Sequence, residues 1–215
     1  MNKNAVSKQP TPQTEAATDR RAISAKTLDK LRVTILELFA SGLYQDVGIR
    51  DICSRAKVSP QTVYKYFGNK EEMLYACIKQ DLDRLNATMI AAAQEHQQLS
   101  DQVRAIMTVW CDFYFDNPGM ARIVFLNIPL AYWVGERQFV QSALHDALYQ
   151  RVSDGQQQGE VWAELPADIL NEVLMGSAYR LMVRWLSDDN LSADQVRCYL
   201  IAVVLKLITV DGECE

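Results

Sequence analysis

The chain has 215 residues, 49% of them apolar and 23% charged, with a net charge of −5. That length permits a well-buried core in one or two domains, and the composition is ordinary for a globular protein. No run of about 18 apolar residues exists, so no membrane span is expected, and the polar N-terminus lacks the apolar stretch of a secretory signal.

Residues 1–24 are polar, carry Pro10 and Pro12, and are expected to form a disordered tail. From Lys26 to Ser41, Leu28, Leu31, Ile35, Leu38 and Phe39 recur at spacings of three and four, which predicts an amphipathic helix stopped by Gly42. Gly48 precedes a second short helix, Ile49 to Ala56, and Lys57-Val58-Ser59 is read as a turn. Ser59 suits an N-cap and Pro60 the first helical position, so a third helix starts there. Asn69 and Glu72 resemble a capping box opening a long fourth helix through Met73, Leu74, Ile78, Leu82, Leu85 and Met89. Further helices are expected from Ser100 to Asp116, from Asn117-Pro118 to near Pro129, and from Trp133 to Gln157. Two more are expected from Pro166 to Ser187 and from the Ser192–Gln195 capping pattern to Val210. The chain reads as all-α, with about nine helices.

The charge is divided unevenly. Residues 1–70 hold 12 Lys and Arg against 6 Asp and Glu, whereas residues 71–215 hold 10 against 21. A basic module on an acidic body is a distribution suited to a nucleic-acid binder. The second and third helices have the form of a helix-turn-helix, in which one helix braces another whose N-terminal side chains reach base edges. Ile52, Cys53, Ala56, Val58, Val63 and Phe67 can pack with Leu31, Ile35 and Phe39, leaving Gln61, Thr62, Lys65 and Tyr66 outward and Tyr64 available. Gln pairs with adenine, and Pro60 and the Thr62 methyl suit a thymine methyl. Tyr66, Lys65 and Lys70 are suited to phosphates, and Arg50 to a guanine or a phosphate.

The segment from about Thr27 to Leu82, above all VSPQTVYKYFGNKEEML, resembles the N-terminal domain of the TetR family of bacterial transcriptional regulators. Val58, Ser59, Val63, Tyr64, Tyr66, Phe67 and Lys70 carry the match. The resemblance implies that Pro60, Gln61, Thr62 and Tyr64 face bases, that Tyr66 and Lys70 touch phosphates, and that Arg50 reads a base. Two positions depart from the family pattern. Val47-Gly48 replace a Thr and a hydroxylic residue, which removes a phosphate contact. Lys57 stands where the turn usually carries Gly, which puts a side chain at a positive-φ position. The expected division is a tail over residues 1–24, a helix-turn-helix domain over 25–70, and a ligand-binding and dimerisation domain over 71–215.

The acidic body is rich in aromatic residues and methionine. The resemblance implies a pocket for a small, largely apolar ligand, with Trp110, Phe113, Tyr114, Phe125, Trp133, Met175 and Tyr179 as candidate lining. The last two helices are apolar around much of their circumference, the pattern of a helix buried or shared with a partner. The family typically dimerises through two such helices. The expected partners are therefore a double-stranded DNA operator of palindromic form, a small-molecule effector and a second copy of the chain. The expected activity is repression relieved by ligand, in the cytoplasm; an activator or a ligand-independent DNA organiser on the same fold is the alternative. No GxSxG, HExxH, Walker A or GxGxxG pattern is present, and His96 and His145 lack ligand-spaced partners, so no enzyme, cofactor or metal site is expected. The five cysteines form no CxxC pair and are expected to be reduced, with Cys53 as the one candidate redox thiol because its neighbourhood is basic.

Overall fold

The computed structural model describes residues 24–135, 142–188 and 190–209. The expected tail lies outside this range except for Ser24, as does Cys214. Ten α-helices are present among the described residues: α1 Ala25–Ser41, α2 Ile49–Ala56, α3 Pro60–Phe67, α4 Lys70–Gln94, α5 Leu99–Asp116, α6 Pro118–Arg122, α7 Leu130–Gly135, α8 Ser142–Gln158, α9 Ala167–Trp185 and α10 Ala193–Ile208. A π turn, Ile123–Asn127, follows α6 directly. The only β pairing among these residues is a bridge between Val161 and Thr209, which ties the α8–α9 connection to the end of α10.

The all-α reading holds. Of the segment read as one helix from Trp133 to Gln157, the described residues are helical, as the end of α7 and as α8, and residues 136–141 between them lie outside the described range.

α1 forms because Leu31, Ile35 and Phe39 align on one face, and all three are completely buried. Each such burial contributes about 1.5–3 kcal/mol. Ser24 caps the helix, its hydroxyl oxygen accepting from the Thr27 N–H at 3.2 Å. α4 spans 25 residues, about 37 Å at the α-helical rise. Its buried stripe of Met73, Leu74, Cys77, Ile78, Leu82, Leu85 and Met89 joins one continuous core. That core also takes in Ile52 and Val63 from α2 and α3, Tyr114 from α5, Phe125 from the π turn and Leu200 from α10. A second core of Val152, Val161, Ala167, Leu170 and Ile208 closes the far end.

α5 begins at Leu99, so Ser100 is not its cap. Leu99 packs on the second core, which draws the helix start back past the serine. Gln98 stands at the cap without a side-chain bond, and Gln102 Nε2 instead donates to the His96 carbonyl at 2.9 Å. At α10 the capping box predicted by Ser192 and Gln195 is formed in both directions, at 3.2 and 3.0 Å.

Candidate nucleic-acid interface

The base-reading candidates sit on α3, and local chemistry explains its placement. The Ser59 hydroxyl accepts from the Thr62 N–H at 3.1 Å, and Pro60 occupies the first turn. Val63 is buried in the core where α3 packs on α2 and α4, which fixes the inward face. Gln61, Tyr64, Lys65 and Tyr66 are exposed, Tyr64 to 52% and Tyr66 to 51%. Tyr66 stacks edge-on against Phe67, 5.0 Å between ring centroids, which stiffens its base. The Thr62 hydroxyl lies 2.7 Å from the Ser59 hydroxyl, so that oxygen is engaged within the cap. Pro60 and Arg50 are exposed, the latter in the first turn of α2.

The turn before α3 keeps the geometry that glycine usually supplies. Lys57 ends α2 in the left-handed region, φ 61 and ψ 45, and its N–H donates to the Cys53 carbonyl. Gly48 lacks a hydroxyl, but its N–H donates to Asp51 Oδ2 at 3.1 Å, half of a capping box. Gly68 ends α3 at φ 83, and a Cβ there would lie 2.1 Å from Glu72 Oε2. Asn69 Oδ1 accepts from the Glu72 N–H at 2.7 Å and opens α4.

Lys70 departs from the outward placement expected of a phosphate contact. Its ammonium donates to the Tyr44 carbonyl and lies 3.9 Å from the Tyr44 ring centroid and 5.4 Å from that of Phe39. Burial lowers its pKa, against the opposing pull of Glu71 and Asp46. The Tyr44 hydroxyl donates to the Glu71 carboxylate, and burial, with that carboxylate beside it, pushes the phenol pKa up. Lys70 is held inward because an aromatic face and an orphan carbonyl stand within reach of a half-buried stem. Tyr44 and Glu71 were not singled out by sequence, since neither lies on an apolar stripe. Cys53 is buried, and burial raises its thiol pKa, the opposite of what a reactive thiolate needs.

In the body, four of the candidate lining residues form one aromatic cluster. Tyr114 lies 5.0 Å from Trp110 and 4.9 Å from Phe125, and Phe125 lies 5.6 Å from Tyr179. The Tyr179 hydroxyl donates to the Phe125 carbonyl at 2.9 Å. Phe113 joins from the side, edge-on to Tyr114. Trp133 packs instead on Tyr75 of α4, 6.0 Å away. Met175 stands apart, 51% exposed. Leu174, one residue earlier, is the half-buried position, and one residue is a rotation of about 100° on a helix.

On the outer side of α9 and α10, Ile169, Val173, Tyr199 and Val203 are exposed. Among the described residues, no group of His, Cys, Asp and Glu is placed to hold a metal ion, and no helix is long and apolar enough to cross a membrane.

The model of the family described as bacterial regulatory proteins, tetR family, matches residues 32–77, from α1 into α4. The HTH-type transcriptional regulator UidR of Escherichia coli (strain K12) is 22% identical over 153 residues, covering 71% of this chain and 78% of that protein. A TetR family transcription regulator from Marinobacter aquaeolei VT8 shares the fold with a TM-score of 0.62 at 18% identity, over 86% of this chain and 99% of its own. The transcriptional regulator FadR from Bacillus subtilis, solved in complex with stearoyl-CoA, does so with a TM-score of 0.62 at 18% identity, over 81% and 98%. The family match across α1 to α4, with its capped and outward-facing α3, makes residues 32–77 the DNA-binding domain of a TetR-family transcriptional regulator, on a body that shares the fold of such regulators.

Proposed function

We propose that the chain is a dimeric repressor that reads a palindromic operator through α3 and releases it when a small, largely apolar ligand binds the body. The observation that carries this reading is the outer face of α3: a helix anchored by Val63 and capped by Ser59 that presents Gln61, Tyr64, Lys65 and Tyr66 away from the core. Gln61, with Pro60, Thr62 and Tyr64, serves base reading; the Thr62 hydroxyl is occupied, which leaves its methyl for a thymine methyl. Ser59, Lys65 and Tyr66 supply backbone contacts, with Arg50 approaching from α2. Lys70 acts through Tyr44 rather than by reaching a phosphate itself.

The apolar ligand is supported by the cluster of Trp110, Phe113, Tyr114, Phe125 and Tyr179, a lining suited to an apolar skeleton. FadR holds a fatty acyl thioester in the same fold, and a related structure, KstR2 of Mycobacterium tuberculosis, is described as a ketosteroid regulator. A ligand of this kind weakens DNA binding only by binding one conformation better than the other.

The test is selection of duplex DNA from a random pool by the full-length protein, followed by titration. A two-fold site is expected. Gln61→Ala should weaken that site by about 1–3 kcal/mol and spare random DNA, whereas Lys65→Ala should weaken both alike. No enriched site would refute the reading. Addition of oleate, stearoyl-CoA or a sterol to the complex probes release. Retention of DNA with every apolar probe would favour the ligand-independent organiser.

A further inference from the structure

One buried polar side chain of the body reaches across the shared core to the end of α1. Asn127 closes the π turn and is 1% exposed. Its Nδ2 faces three carbonyl oxygens: Phe39 at 2.9 Å, Arg122 at 3.1 Å and Gly42 at 3.3 Å. Phe39 and Gly42 lie 88 and 85 residues away in sequence, at the end of α1, where a helix leaves its last carbonyls without intrahelical donors. Asn127 therefore caps α1 from the body. The three surrounding acceptors fix the amide orientation, and they leave Oδ1 buried with no hydrogen-bond partner.

The π turn makes this reach possible. The Ile128 N–H donates to the Ile123 carbonyl at 3.0 Å, five residues back. One residue inserted in a helical turn rotates the succeeding side chains by about 100°. Beside it, α6 comes so close to α1 that a Cβ on Gly119 would lie 2.9 Å from the Ala40 Cβ. Gly42 begins the short link to α2, and Lys70 holds the same link at Tyr44.

We infer that Asn127 is a positioning residue for DNA reading, fixing where the α1–α2 link leaves the body and hence where α3 stands. This rests on the DNA-reading role proposed above. An amide with one orphaned polar atom contributes little net stability. Its effect is on placement: a relaxed link lets the two reading helices of a dimer vary in separation.

The experiment uses the full chain with Asn127→Leu, which removes the donor and the orphan together, and Asn127→Asp, which faces the carbonyls with a carboxylate. Both are compared with the wild type for binding to the selected operator, to random DNA, and to operators with altered half-site spacing. Operator affinity should fall about tenfold, random-DNA affinity should stay within about twofold because phosphate contacts carry it, and the spacing preference should flatten. Hydrogen exchange should quicken at residues 42–48 and stay unchanged in α9 and α10. Equal losses on both DNAs, or a folded Asn127→Leu protein with wild-type spacing preference and wild-type exchange at 42–48, would overturn the inference. If the wild type itself selects no operator, the functional reading has failed, and exchange at 42–48 alone decides the role of Asn127.

Discussion

Lys57 shows how a single residue can be at odds with its own backbone. At φ 61 it holds the left-handed conformation that ends α2 and turns the chain toward α3. A side chain there costs about 1–2 kcal/mol, a penalty glycine does not bear. The turn persists because its surroundings over-determine it. The Lys57 and Val58 N–H groups both donate to the Cys53 carbonyl, and Ala56 on one side and Val63 on the other are buried in the shared core. Lys57→Gly should therefore stabilise the protein by about 1 kcal/mol, less the chain entropy that glycine adds to the unfolded state. Urea unfolding of the two proteins side by side measures it; a loss of stability would mean that the lysine side chain contributes more than its backbone costs.

At the scale of elements, α6 is placed by a close approach. Gly119→Ala should push α6 away from α1 and destabilise the fold by about 1–3 kcal/mol, the range for overpacking. Ala40→Gly in the same chain should recover part of that loss, because it removes the atom that is struck. A double-mutant cycle in thermal unfolding reads the coupling, which is absent if the two helices do not meet there. This contact also shows where sequence reading ends. Ser59 before Pro60, the Ser192–Gln195 box, and the spacing of Leu31, Ile35 and Phe39 are local patterns, and each element they announce is present. The outward face of α3 is legible for the same reason. The π turn, the caps formed across the chain and the inward turn of Lys70 depend on partners many residues away, which periodicity does not encode. Met175 illustrates the intermediate case. α9 is apolar on more than one side, so spacing alone does not decide which stripe faces the core.

At the scale of the whole molecule, an exposed apolar stripe runs along α9 and α10. Ile169 and Val173 follow one line along α9, with Gly176 on the same line and open space above it. Tyr199 and Val203 continue the stripe on α10, which packs beside α9. If a second copy covers this surface, each dimer carries two basic reading tips on an acidic body, and the body holds the tips at a set separation. Binding one half-site then presents the other at high effective concentration, a gain of about 10²–10⁴ in affinity. Val173→Glu places a charge in the middle of the stripe at a position 42% exposed in the single chain, so folding of the chain itself should be spared. Sedimentation should show a monomer with wild-type helical content. Affinity for the two-fold operator should fall on the order of 10²-fold, while a single half-site is bound as before. A Val173→Glu protein that remains a dimer and keeps its operator affinity would move the interface off this face and leave the spacing of the two reading helices to another surface.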